Sequence, residues 1–129
     1  MTRLDEQLIE QARQAGKNAY APYSNFSVGA ALLLADGSVV TGCNVENASY
    51  GLTICAERTA VYKAVSEGQR EFAAIAVYAD TDSYCSPCGA CRQVIAEFGP
   101  QIRVIMANRR GEYKVRTIAE LLPETFQLK

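Results

Sequence analysis

The 129-residue chain contains no histidine. That absence removes the Ser-His and Cys-His nucleophilic schemes and the two-histidine, one-carboxylate iron site, because each needs an imidazole. Any transition-metal site must therefore rest on sulfur. Long apolar runs are missing too, and no stretch approaches the ~20 residues of a membrane span. The N-terminal run Met1-Thr2-Arg3-Leu4-Asp5-Glu6 carries acids where a secretory signal would be apolar, which points to the cytoplasm. Nor is there a block of positive charge. The formal net charge is -1, and Arg109-Arg110 is the only adjacent basic pair, which reads as a solvated turn. Nucleic-acid binding draws on clustered Lys and Arg, so this balance argues against a polynucleotide partner. No repeat, low-complexity tract or linker divides the chain, and its length suits one domain over residues 1–129.

What is present alternates between helical and strand signals. Leu4, Leu8, Ile9, Ala12, Ala15 and Ala19 recur at helical spacing and predict a helix ending near Ala21-Pro22. Residues 28–35 form a nearly continuous apolar run. Asp36-Gly37 then signals a hairpin, and 38–44 supply the returning strand. Residues 47–53 read as loop, and 55–67 as helix with Gly68 as its stop. A strand is predicted over 72–79. A helix capped by Ser86, with Pro87 in its first turn, should run to about Phe98. Strands follow at 102–107 and 113–116, and Thr117-Ile118-Ala119-Glu120 resembles a capping box before Pro123. The order predicts a mixed sheet covered by helices, with two cysteine-bearing helix starts at one sheet edge.

Five cysteines are many for a chain with a cytosolic character, and clustered cysteines in a reducing compartment point to metal or catalysis. Cys88 and Cys91 are three apart, so both sulfurs can reach one ion from a helix start. A helix N-terminus also favours thiolates. Cys55 lies at the other helix start. Three thiolates would leave the fourth tetrahedral position of a zinc ion open, as a catalytic site requires. Spacing alone leaves two alternatives. Cys85 could complete a closed, structural four-cysteine site, or Cys85-Ser86-Pro87-Cys88 could be redox-active. Cys43 reads as a small buried hydrophobe.

Glu57 favours the catalytic reading. A three-cysteine zinc that activates water, with a nearby non-ligand Glu moving protons, is the chemistry of zinc deaminases. A regular helix would set Cys55 and Glu57 about 200° apart, so the first turn must flank the pocket for both to act together. Three thiolates around one zinc ion leave a net negative charge that opposes ionisation of its water. Arg58 could offset it by hydrogen-bonding the sulfurs.

Thr53-Ile54-Cys55-Ala56-Glu57-Arg58 together with Ser86-Pro87-Cys88-Gly89-Ala90-Cys91-Arg92-Gln93 resembles the small, homotetrameric cytidine deaminases. So do Ala21-Pro22-Tyr23-Ser24-Asn25-Phe26, Val28-Gly29-Ala30-Ala31 and Asn44-Val45-Glu46-Asn47-Ala48-Ser49-Tyr50. The resemblance runs from about Tyr20 to Phe126. It implies a three-layer α/β/α sandwich around a five-stranded mixed sheet, and one Zn2+ per chain. Cys55, Cys88 and Cys91 would be its ligands, with Glu57 as proton shuttle and Arg58 supporting the sulfurs. Phe26, Asn44, Glu46 and Ala56 would contact substrate, with Asn44 and Glu46 on the ribose 3'-hydroxyl. Ala48, Tyr50 and Phe126 would reach sites shared between subunits. The implied reaction is hydrolytic deamination of free cytidine and deoxycytidine to uridine and deoxyuridine in pyrimidine salvage. The rivals are a deaminase of a cytosine-containing antibiotic such as blasticidin S, and a structural-zinc module without chemistry.

Overall fold

The computed structural model describes residues 3–128. Met1 and Thr2 of the acidic N-terminal run, and Lys129 at the end of the expected domain, lie outside the described residues. Helix α1 (Arg3–Gly16) is amphipathic, with Leu8 and Ala12 buried on one face. Asp5 and Glu6 sit in its first turn and Arg13 in its last, which suits the helix dipole. The apolar spacing predicts a longer helix, but the backbone leaves it early because it is claimed elsewhere. Tyr20 N–H donates to Asn44 O, and Glu46 N–H donates to Tyr20 O, forming a parallel bridge between Tyr20 and Val45.

Five strands follow: β1 (Val28–Leu34), β2 (Val39–Cys43), β3 (Phe72–Ala79), β4 (Arg103–Ala107) and β5 (Tyr113–Thr117). Their order across the sheet is β2-β1-β3-β4-β5. β1 pairs antiparallel with β2 and β3, β3 pairs parallel with β4, and β4 pairs antiparallel with β5. The sheet is mixed, as predicted. Successive side chains alternate faces. Ala30, Leu32, Ile75, Val77, Val104 and Met106 enter one core, while Ala31, Leu33, Ala74, Ala76 and Ile105 enter the other. Burial on both faces explains the unbroken apolar runs. Helix α1 covers the second face through Leu8 and Ala12. The first is covered by α2 (Ala56–Ser66), α3 (Gly89–Ala96) and the short α4 (Ile118–Leu121). The three-layer sandwich is the expected one.

Two glycines set how closely the layers approach. A Cβ at Gly29 would stand 1.8 Å from Ala12 O, and one at Gly42 would stand 2.6 Å from Ala60 N and 2.7 Å from Ala56 O. Gly42 thus seats the first turn of α2 directly on β2. The predicted capping box is present at α4: Glu120 N–H donates to Thr117 Oγ1, and Thr117 N–H donates back to the Glu120 carboxylate at 2.7 Å. Arg109 and Arg110 lie exposed in the 108–111 turn and pair with Asp82.

One predicted boundary differs in a way that matters. Helix α3 begins at Gly89 with Cys88 as its N-cap, rather than at Ser86-Pro87. The Arg92 guanidinium donates to Pro87 O at 2.9 Å and to Ser86 Oγ at 2.8 Å. Those bonds hold 86–87 outside the helix, and Arg92 N–H closes the first helical bond on Cys88 O.

Candidate active site

Cys55 and Cys88 occupy equivalent places. Each is a helix N-cap with extended backbone, at φ -77° and ψ 158° for Cys55 and φ -68° and ψ 170° for Cys88. This removes the 200° problem, because Cys55 does not share the helical path of Glu57. The sulfurs converge: Cys55 Sγ lies 3.9 Å from Cys88 Sγ, which lies 3.5 Å from Cys91 Sγ. Among the described residues they form the one group of this kind. A tetrahedral zinc with Zn–S bonds of ~2.3 Å needs sulfurs ~3.8 Å apart. The donor set therefore fits zinc and leaves one coordination position for a reactant.

The surroundings prepare these sulfurs for a cation. The Cys55 thiol is pushed down to about 5, first because Cys91 donates to it and then because Arg58 Nη2 donates to it at 3.3 Å. Cys91 is held above the ordinary thiol range by sharing its proton with Cys55, and then by burial. Cys85 stands apart. It packs against the apolar core, and burial pushes its thiol up to about 12. A closed four-cysteine site including Cys85 is not formed. Cys43 is half-buried at the end of β2.

Glu57 follows Cys55 in the first turn of α2 and is only 5% exposed. Burial pushes its carboxyl up to about 7; the Cys55 thiolate adds to the rise, while the Arg58 guanidinium opposes it. A carboxyl poised near neutrality can both accept and deliver a proton at physiological pH.

Most of the remaining candidates lie on the irregular segments between strands and helices. An antiparallel bridge between Val45 and Ile54 brings the 44–46 segment alongside the residues leading into Cys55. Asn44 is buried beneath the 23–28 loop, where its amide donates to Phe26 O at 2.8 Å and accepts from Val28 N–H at 2.9 Å. Glu46 is half-buried. It lines a cavity of about 390 Å3 with Tyr23, Ser24, Tyr50 and Thr53. Its carboxylate accepts from Ser24 Oγ and from the N–H groups of Tyr23 and Ser24. The Ser24 hydroxyl, together with those N–H groups, holds its pKa below the usual carboxylate value. Phe26, Tyr50 and Phe126 expose their rings, and Tyr50 meets Tyr23 edge-on at 6.2 Å. Ala48 is exposed, whereas Ala56 is fully buried at the start of α2. Phe126 O accepts from Gln93 Nε2 at 3.3 Å.

Two residues without an assigned role in the motifs matter here. Ser24 sits between Phe26 and Glu46, and only its contacts reveal that. Gly42 carried a signal, since a glycine inside a strand marks close backbone approach.

Three convergent sulfurs with an open side, next to a buried carboxyl near neutrality, define a metal-dependent hydrolytic site rather than a structural knot. The family described as cytidine and deoxycytidylate deaminase zinc-binding region matches residues 2–107, and the chain belongs to that family. It is 57% identical to a cytidine deaminase of Halalkalibacterium halodurans over 94% of this chain and 92% of the relative. A crystal structure of cytidine deaminase from Burkholderia pseudomallei superposes with a TM-score of 0.92 at 54% identity, covering 98% of this chain and 100% of that one. A more distant relative is a blasticidin-S deaminase of Bacillus cereus, 30% identical over 95% of this chain and 92% of its own length.

Proposed function

We propose that this chain is a cytidine deaminase, one domain over residues 1–129, converting cytidine and deoxycytidine to uridine and deoxyuridine with release of ammonia. The observation that carries the reading is the buried Glu57 carboxyl beside the cluster of Cys55, Cys88 and Cys91. A zinc ion held by these three sulfurs would supply Lewis-acid activation of water near neutral pH. Glu57 takes the proton of the attacking water and delivers it to the ring 3-nitrogen as the 4-carbon becomes tetrahedral. It then takes the proton of the new 4-hydroxyl and passes it to the amino group, so that the 4-carbonyl forms as the C–N bond breaks and ammonia leaves. Its pKa near 7 supports both directions of transfer. Arg58 keeps Cys55 ionised and balances the negative charge of the sulfurs.

Recognition belongs to the loop end. Phe26 packs on the nucleoside, and Glu46 accepts the ribose 3'-hydroxyl, with Asn44 beneath them. A carboxylate beside the sugar disfavours a 5'-phosphate by repulsion, and an esterified 3'-oxygen has no proton to donate. Free nucleosides should therefore outrank deoxycytidine monophosphate and single-stranded DNA. The exposed rings of Tyr50 and Phe126 are 76% and 68% accessible, which supports a homotetramer whose subunits complete each other's sites. We assign the enzyme to cytoplasmic pyrimidine salvage. Among the described residues no helix is long and apolar enough to cross a membrane.

Ultraviolet absorbance separates cytidine from uridine directly. Purified, zinc-loaded protein should turn over cytidine with far higher kcat/KM than blasticidin S. The reverse order would transfer the assignment to the antibiotic, and no turnover of either would leave only a zinc-binding module.

A further inference from the structure

The 23–28 loop has no helix or strand to hold it until β1 begins, yet side chains pin it on both sides of Phe26. Asn44 takes the Phe26 carbonyl, as described. On the other side Phe26 N–H donates to Ser24 Oγ at 3.0 Å. The same Ser24 hydroxyl donates its proton to Glu46 Oε2. Tyr23 and Ser24 N–H groups donate to Glu46 Oε1 at 3.0 and 3.1 Å. Ser24 Oγ is thus the atom that joins Phe26 to Glu46. Asn25 between them has a φ of 56°, a left-handed conformation that asparagine tolerates better than most residues. The Ser24 hydroxyl, accepting from the N–H two residues on, closes that turn.

We propose that Ser24 is a positioning residue for the sugar subsite, its hydroxyl holding Glu46 and Phe26 in the one arrangement that receives a free 3'-hydroxyl. The proposal rests on the cytidine deaminase reading of the site. A carboxylate offers about four lone-pair sites. Loop donors take three of those on Glu46, which leaves a single acceptor on a side chain that lines the cavity. One acceptor matches one hydroxyl proton. Ser24 has no part in the ring chemistry and acts through Glu46. Without its proton, Oε2 loses its anchor, the carboxylate can turn about its terminal bond, and discrimination at the 3'-position relaxes.

The test compares zinc-loaded wild type, Ser24→Ala and Ser24→Thr on cytidine and on 3'-deoxycytidine, with zinc content and thermal midpoint measured alongside. Wild type should prefer cytidine. In Ser24→Ala the KM for cytidine should rise roughly tenfold, the scale of one hydrogen bond to a charged group. The efficiency ratio of the two substrates should fall by the same factor, and Ser24→Thr, which keeps the hydroxyl, should recover most of it. An unchanged ratio in Ser24→Ala overturns the proposal. So does an equal loss on both substrates, which would mark general loop collapse. A wild type that treats both substrates alike overturns the sugar role of Glu46 and this proposal with it. A wild type inactive on both overturns the deaminase reading itself.

Discussion

At one end of the site, sulfurs and a carboxyl project from the starts of two helices whose buried faces pack into the core beneath the sheet. At the other, Phe26, Glu46 and Tyr50 sit on exposed loops held by side-chain hydrogen bonds. The first end carries strong electrostatic perturbation in a buried setting, with Glu57 raised to about 7 and Cys55 lowered to about 5. The second carries a half-buried carboxylate held by loop donors, and aromatic rings left exposed. Chemistry that must hold a proton and a metal at fixed places is built on packed helix starts, and recognition that must admit and release a nucleoside is built on irregular segments.

The contrast orders the effects of mutation. Replacing a sulfur should do most. Cys91→Ser should abolish stoichiometric zinc and all measurable turnover, whereas Cys85→Ser should keep both; elemental analysis with the absorbance assay checks this. Loss of zinc in Cys85→Ser instead would redraw the metal end. Next comes Glu57→Gln, which should retain zinc and fold but lose ~10²–10⁴ in kcat, because an amide cannot carry the proton. Near-normal turnover would remove Glu57 from the mechanism.

Arg58→Ala should act through pH. The guanidinium lowers the Cys55 pKa, so without it that thiol ionises at higher pH. Protons then compete with zinc earlier on acidification, and the midpoint of zinc release should move to higher pH. A chromophoric chelator followed across a pH series reads this directly, and an unmoved midpoint would reduce Arg58 to a surface cation. At the loop end, Phe126→Ala should raise KM about three- to tenfold while barely moving kcat, the scale of one aromatic contact. Light scattering on the wild type should show a tetramer, and an active monomer would break the link between Phe126 and a neighbouring site.

The smallest effect concerns Glu46 and stability. The Ser24 hydroxyl and the Tyr23 and Ser24 N–H groups hold its folded pKa below the ordinary carboxylate value. A depressed carboxyl stabilises the fold at pH above its unfolded pKa, and that contribution is lost as pH falls through the folded value. Glu46→Gln should therefore flatten the stability profile below about pH 4.5 and leave it unchanged in shape above. Thermal melts across that range measure it.

The same division separates what was legible in the sequence from what was not. The hairpin at Asp36-Gly37, the α4 capping box and the two-faced strands follow from local turn chemistry and periodicity. Cysteine type and spacing marked a sulfur site at the two helix starts but left Cys85 as a rival ligand, and only Glu57 together with the family motifs singled out Cys55, Cys88 and Cys91. The end of α1 was not, since Ala15 and Ala19 continue the apolar spacing while the backbone near Tyr20 answers to a segment two dozen residues on. The start of α3 was misplaced because Ser86-Pro87 carries ordinary cap chemistry, while the Arg92 guanidinium, reaching back to Pro87 O and Ser86 Oγ, holds it outside the helix. Ser24 had no legible role because its meaning lies in joining two residues that are distant along the chain.

The placing of Cys55 and Cys88 has a topological consequence. The two N-caps are separated by 33 residues, a stretch that contains all of α2 and β3. An ion gripping both sulfurs ties that stretch into a ring, as a disulfide would, but reversibly. By the chain-entropy argument such a closure is worth up to ~4 kcal/mol against the unfolded state. The metal that serves the reaction thus also acts as a removable cross-link, and the resistance of the chain to heat should rise and fall with the zinc available to it.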